Sequence, residues 1–279
     1  GLSPNVTTRG DKYEVKVGVG MYLDALGKTT FHFYPQAYLS YSLFDDILVP
    51  YVGVDGERVR NSFRSLSREN PWISGAPALV NTSRMYDVYG GLRGSLGSNL
   101  GFDVRISNER TKGMPPLVKL DNGIYADQMG ILYDRVDILD ISGSLHYHQE
   151  GGLEVTGRLD ILTYEVQTTE EAWNLPPYRI SLMGRYDIRD KLVLKAELLF
   201  LGKRMARGEA VLDTNGVLIE HKVVDLDGFL DLYLGAEYRY TKRLSVFLDV
   251  SNLSASKYER WFRYPVQRGL VMGGATFKF

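Results

Sequence analysis

Apolar and polar residues alternate along most of this chain with a period of two, which is the period of a β-strand. Segment 178–188 shows the pattern clearly. One face of that segment carries Tyr178, Ile180, Leu182, Gly184, Tyr186 and Ile188. The other face carries Arg179, Ser181, Met183, Arg185 and Asp187. The alternation predicts strands that each have one apolar face and one mainly polar face.

Repeated along the chain, the pattern predicts about twelve strands, most of them long enough to cross the apolar layer of a membrane at a tilt. The predicted strands are 11–23, 30–43, 46–56, 83–96, 99–108, 135–148, 151–164, 177–188, 191–203, 227–240, 243–254 and 267–279. A soluble β-sandwich is the alternative, but strands of this length and number would require an unusually large soluble core.

The connections between these strands alternate between short turns and long segments. The long segments are 55–82, 109–134, 165–176, 204–226 and 255–266, and only the 24–29 link is short on that side. This asymmetry is typical of outer-membrane barrels, whose short turns are periplasmic and whose long loops are extracellular. We therefore expect an all-β fold: a transmembrane, antiparallel, up-and-down β-barrel that forms one domain over residues 1–279. An even strand count would place both chain ends on the periplasmic side.

Composition narrows the possible functions. Hydrophobic residues make up 44% of the chain, yet the mean hydropathy is −0.18 and no apolar run approaches the roughly 18–20 residues of a transmembrane helix. A net charge of −1 argues against a basic nucleic-acid-binding protein. An exported barrel requires a signal peptide, and none is present from Gly1 onward. We expect no nucleic-acid partner.

The last 52 residues carry a specific order of short motifs. Two strands joined by Thr241-Lys242-Arg243 lead to Asn252-Leu253. There follow, in order, Lys257-Tyr258-Glu259-Arg260-Trp261, Tyr264-Pro265, Arg268-Gly269 and a final strand ending in Phe277 and Phe279. This order resembles the C-terminal end of TonB-dependent outer-membrane receptors. The resemblance implies transport of a small solute or nutrient across the outer membrane of a Gram-negative bacterium.

The resemblance also implies partners. Outer-membrane lipids and lipopolysaccharide would surround the barrel, and the barrel-assembly machinery would recognise the terminal aromatic residues Phe277 and Phe279. The family has more strands than are predicted here, together with a plug domain and a TonB-contacting box. Two interpretations stay open: the chain belongs to a larger receptor, or it is a plugless barrel that serves as a structural or partner subunit with other outer-membrane or periplasmic subunits.

The polar faces of the strands supply the candidate site residues, because they would line the lumen of a barrel. These are Arg93, Arg105, Arg158, Asp160, Arg179, Arg185, Asp187, Lys195, Glu197, Asp231, Glu237, Arg239 and Asp249. They would form a polar permeation path or bind a plug, loop or partner. The alternative is a lattice of ion pairs that only stiffens the wall. Because both signs of charge are present, no strong ion selectivity is implied.

Catalytic and metal-binding signatures are weak. His146 and His148 lie two residues apart on one strand face, but the sequence places no third metal ligand beside them. None of the four histidines pairs convincingly with a nucleophilic serine. We therefore expect no enzyme activity, no metal and no cofactor. In the long loops, Trp261, Phe262 and Tyr264 could form an extracellular ligand or partner patch, and segment 204–226 could fold as a lid.

Overall fold

The computed structural model describes residues 1–25, 29–120, 128–215 and 217–279, and most of these residues lie in strands. Part of the predicted 24–29 link and part of the 109–134 loop therefore lie outside the described residues. The strands of the main sheet are β1 (Asn5–Arg9), β2 (Tyr13–Asp24), β3 (Thr30–Tyr41), β4 (Leu48–Val59), β5 (Thr82–Ser95), β6 (Leu100–Met114), β9 (Asp134–Gln149), β10 (Leu153–Val166), β11 (Tyr178–Ile188), β12 (Leu192–Leu201), β15 (Phe229–Arg239), β16 (Leu244–Ser251) and β19 (Leu270–Phe277).

These elements form one 13-stranded antiparallel sheet in which strands adjacent in sequence are adjacent in space. Such an up-and-down meander is the connectivity predicted from the alternation. The order places β1 at one end and β19 at the other. Within the described residues, no helix is long and apolar enough to cross a membrane.

The strand count differs from the prediction because β1 was missed. It is five residues long, and Val6 is its only strongly apolar residue, so it shows no clear alternation. β1 pairs with β2 from Asn5↔Gly18 to Arg9↔Glu14, and a bridge joins Leu2 to Met21. The chain therefore begins beside the long-loop end of β2, and the expectation that both chain ends lie at the short-turn end is wrong.

The two faces of the sheet differ as the alternation predicts. In antiparallel pairs, directly opposite residues share a face. One row across five strands reads Val155, Gly184, Ala196, Leu234 and Val250. Large apolar side chains on this face are widely exposed; Leu182 is 45% exposed and Leu248 is 52% exposed. An exposed apolar face of this extent is expected where the face contacts membrane lipid instead of water.

The long connections contain further secondary structure. They hold α1 (Phe63–Glu69), β7 (Leu117–Lys119), β8 (Met129–Ile131), β13 (Arg204–Leu212), β14 (Leu218–Leu226), β17 (Glu259–Trp261) and β18 (Tyr264–Pro265). α1 begins with a capping box in which Ser62 and Ser65 bond reciprocally. β13 and β14 pair as a hairpin, so the segment predicted as a lid is a two-stranded element.

Candidate functional site on the polar face

A recess of about 660 Å³ opens on the polar face, where β3 to β6 lie beside β9 and β10. Three tyrosines from three strands line one side of it. The ring centroids of Tyr38 and Tyr51, and of Tyr51 and Tyr89, lie 6.3 Å apart. Arg93 lies over the Tyr51 ring at 5.7 Å and Arg105 over the Tyr89 ring at 4.0 Å. These contacts are cation–π interactions, which hold the arginine side chains flat against the wall. We call this site the tyrosine–arginine recess.

Carboxylates fix the polar ends of these side chains. The Tyr51 hydroxyl donates to Asp103 at 2.9 Å, and the Tyr89 hydroxyl donates to Asp55 at 3.0 Å. Arg105 pairs with Asp87 at 2.5 Å. Each anchoring contact joins different strands, so the shape of the recess is set by the register of the sheet.

The recess retains hydrogen-bonding capacity. Asp87 is 7% exposed, and its Oδ1 atom lacks a hydrogen-bond partner among the described residues. The Oδ1 atom of Asp140 is in the same condition. Both residues line the recess. Because a buried, unpaired carboxylate oxygen is costly, these two atoms are available to a donor such as a solute hydroxyl or a water molecule.

The predicted lumen-lining residues divide into two groups. Arg93, Arg105 and Arg158 line the tyrosine–arginine recess; Asp160 pairs with Arg158 at 2.6 Å and lies opposite Arg179. The second group lies on β11, β12, β15 and β16, away from the recess. It comprises Arg185, Asp187, Lys195, Glu197, Asp231, Glu237, Arg239 and Asp249. The register therefore confirms that the candidates share a face, and their lining of a lumen stays a prediction.

Several members of the second group also have partners. Asp187 lies 3.6 Å from Arg185 and 3.3 Å from Arg239. Asp249 accepts a hydrogen bond from Tyr233 at 2.7 Å. These contacts match the ion-pair lattice that the sequence offered as an alternative to a permeation path.

The paired histidines do not converge on one point. The His146 ring nitrogens lie 3.1 Å from the Ser144 hydroxyl and 3.2 Å from the Thr156 hydroxyl. His148 lies 3.7 Å from Glu154 instead. Within the described residues, no group of three histidine or carboxylate side chains could hold a metal ion.

The long loops pack into a common hydrophobic cluster rather than forming an exposed ligand patch. This loop cluster consists of Leu66, Ile73, Leu117, Met129 and Trp261. Trp261 is only 8% exposed, so the patch expected around it is wrong for that residue. Arg204 anchors the hairpin to the cluster, because its guanidinium donates to the carbonyls of Glu259 and Arg260 at 2.8 Å each.

The terminal aromatic residues lie at the end of the sheet. Phe279 follows β19, is fully exposed, and contacts Phe277 edge to face at 5.4 Å between ring centroids. Their role as an assembly signal stays a prediction.

The polar-face tyrosines were missed in the sequence because tyrosine also belongs to interfacial aromatic girdles. The sequence did contain a signal for them. Tyr34 and Tyr38 alternate with apolar residues, so they lie on the same strand face as Gln36. The partnership of Tyr51 with Asp103 depends on pairing between strands that are far apart in sequence.

Comparison with solved structures identifies the fold. The pyoverdine outer-membrane receptor FpvA of Pseudomonas aeruginosa PAO1 superposes with a TM-score of 0.68 at 14% identity, over 99% of this chain and 42% of the receptor. The copper transporter OprC gives a TM-score of 0.65 at 12% identity, over 99% of this chain and 47% of OprC. The ferric-catecholate import receptor Fiu of E. coli K12 gives 0.64 at 11% identity, over 97% of this chain and 43% of Fiu.

The chain thus has the fold of the β-barrel part of TonB-dependent outer-membrane receptors, which confirms the all-β class and the resemblance in fold. It spans about two fifths of the length of these receptors. No protein-family model matches the sequence. No curated protein matches it significantly.

Proposed function

We propose that this chain forms part of the wall of an outer-membrane transport barrel and that its polar face lines the path of a small polar solute. The observation that carries the proposal is the division of one 13-stranded sheet into a widely exposed apolar face and a polar face with an organised recess. The similar solved structures include receptors and transporters for iron chelates and copper, which supports transport over catalysis.

The recess indicates the chemistry of the solute. Aromatic faces such as those of Tyr51 and Tyr89 suit the flat apolar side of a ring, and the free oxygens of Asp87 and Asp140 suit hydroxyl or amine donors. Arg105 and Arg158 are already paired with carboxylates, and Arg93 lies over the Tyr51 ring, so little positive charge is left for a strongly anionic ligand. A neutral or weakly cationic polar solute fits these features.

A second function is favoured by a different observation. The long loops pack on one another through the loop cluster, and many polar-face charges are ion-paired. A sheet with loops that pack on one another and polar-face charges that neutralise one another also suits a structural or partner subunit of an outer-membrane complex. In that case the polar face would be covered rather than open to solute.

Cysteine labelling distinguishes the two functions, because the natural chain has no cysteine. Arg105 and Ile106 are neighbours on opposite faces of β6, and Ile106 is 52% exposed on the apolar side. In the membrane-inserted protein, a membrane-impermeant maleimide should label Arg105→Cys and spare Ile106→Cys. Solutes that slow labelling of Tyr89→Cys would then identify the substrate class.

Each other outcome is informative. Equal labelling of both positions would contradict the placement of the apolar face in lipid. Labelling of Arg105→Cys only after denaturation would contradict an open solute path and favour the structural or partner role.

A further inference from the structure

The rim of the sheet that is formed by the short turns is divided by charge. The turn between β3 and β4 carries Asp45 and Asp46, and the turn between β9 and β10 carries Glu150. The turns after β11 and β15, with the last strand, are strongly basic. This basic rim consists of Arg189, Lys191, Arg239, Lys242, Arg243 and Lys278.

The sheet brings these cations together. Backbone hydrogen bonds of 2.8 Å join Arg239 to Lys191 and Lys278 to Arg243, so the ends of β12, β15, β16 and β19 lie side by side. They surround a recess of about 440 Å³ on the polar side of the rim. The acidic side chains that line it are Asp190 and Glu237, two against six cations.

The basic rim concentrates cations, and few of them have a carboxylate partner. Elsewhere, cations such as Arg105 and Arg158 lie within 2.6 Å of a carboxylate. Within the basic rim, Arg239 pairs with Asp187, and the other five cations form no ion pair with the residues that the structure describes. Neighbouring like charges repel one another, so binding of an anion would stabilise this cluster.

A groove lies on the opposite, apolar face of the same strands. It has a volume of about 500 Å³ and is lined by Leu153, Gly184, Tyr186, Leu194, Ala236 and Leu248. Leu194 follows Lys191 by three residues, which is ~10 Å along a strand. The hydrocarbon layer of one leaflet is ~15 Å thick, so the groove begins within one acyl-chain length of the rim.

We propose that the basic rim binds the phosphate-bearing headgroup of an anionic phospholipid from the inner leaflet, with one acyl chain in the groove. The turns Arg189–Lys191 and Thr241–Arg243 border the recess but not the groove, so a headgroup that lies over the rim would meet the cations on these turns. Tyr186, Tyr238 and Tyr240 are exposed on the apolar face near these turns, which places the rim at headgroup depth. Basic clusters at this depth attract anionic headgroups.

Native mass spectrometry of the protein released from nanodiscs tests the proposal. The nanodiscs contain phosphatidylcholine with a minor fraction of phosphatidylglycerol. The test variant is Lys191→Gln/Lys242→Gln/Arg243→Gln. The matched control, Lys222→Gln/Lys257→Gln/Arg268→Gln, removes the same charges from the long-loop side. Wild type and control should retain phosphatidylglycerol preferentially, and the test variant should lose that preference by about tenfold or more.

A second variant tests the groove independently of charge. Ala236→Phe fills it from a lipid-facing position and should also lower phosphatidylglycerol retention, which keeps the proposal testable if the triple variant does not fold. Heat-dependent migration on gels reports folding. Unchanged lipid preference in both folded variants would overturn the proposal. Displacement of the lipid by inorganic phosphate would assign the rim to a free anion and would also overturn it.

Discussion

At the scale of single residues, Tyr258 shows how one side chain holds a long loop against the end of a strand. Its ring stacks on Phe229 with centroids 3.7 Å apart, and its hydroxyl donates to Asp231 at 2.9 Å. Burial, followed by the hydrogen bond to Asp231, raises the pKa of Tyr258 to about 12. The hydroxyl therefore stays protonated and keeps donating at any physiological pH.

Changing Tyr258 to Phe should release the 255–266 segment from β15. Removing this hydrogen bond to a charged acceptor should cost ~1.5–3 kcal/mol of local stability. Because folding raises the pKa of Tyr258, its contribution is complete below pH ~10 and is lost as the pH rises through ~12. The measurement is the rate of proteolytic cleavage in the loop at a series of pH values.

The exposed Tyr240 supplies the control, since Tyr240→Phe should leave loop cleavage unchanged at every pH. A wild-type cleavage rate that does not rise at alkaline pH would contradict the role assigned to the Tyr258 hydroxyl.

At the scale of elements, the long strands were predictable because their alternation is regular. The structure places β11 at Tyr178–Ile188, against a prediction of 177–188. The hairpin of β13 and β14 was not predicted as strands, because register shifts between Arg207 and Ala210 and between Val211 and Leu212 interrupt the period of two. Alternation in a sequence therefore predicts a strand well only where the strand pairs with its neighbours in an uninterrupted register.

Alternation makes a sharp prediction at two adjacent positions of β11. Leu182 lies on the apolar face, whereas Met183 lies on the polar face directly opposite Glu197. Their exposed fractions are similar, 45% and 48%. Leu182→Arg should destabilise the inserted sheet by ~2–4 kcal/mol if the position is near the bilayer midplane. Met183→Arg should cost little, because the new cation faces a carboxylate.

Urea unfolding in lipid vesicles measures both variants against wild type. Equal destabilisation by the two substitutions would refute the assignment of faces, since a register slip of one residue exchanges them.

At the scale of the whole molecule, the sequence predicted which residues lie on the polar face of the sheet but not which of them are in contact. Tyr51 reaches Asp103 only because β4, β5 and β6 pair in a particular register. That register is set by the complete sheet, and no local spacing encodes it. The charged face was thus predictable, and the tyrosine–arginine recess was not.

The hairpin at the long-loop end permits a test of conduction. Its base is held by Arg204, while Val217, Leu218 and Ile219 beyond the turn are exposed. We expect the intact protein to conduct weakly in a planar bilayer. Deleting 207–222 keeps the Arg204 anchor and should raise conductance more than neutralising one recess charge, as in Arg158→Gln. A large conductance of the intact protein would contradict a pore covered by its loops. If the deletion variant also conducts no current, a structural or partner role is favoured.

The loop cluster also has a consequence for the order of folding. Leu66, Leu117 and Trp261 belong to loops separated by long stretches of chain, and the strands between them must be paired before these side chains can meet. Contacts between residues so distant in sequence form late, because the chain entropy of closing large loops must first be overcome. Protease resistance of the loops would therefore appear last during biogenesis, and its appearance would report that the sheet is complete.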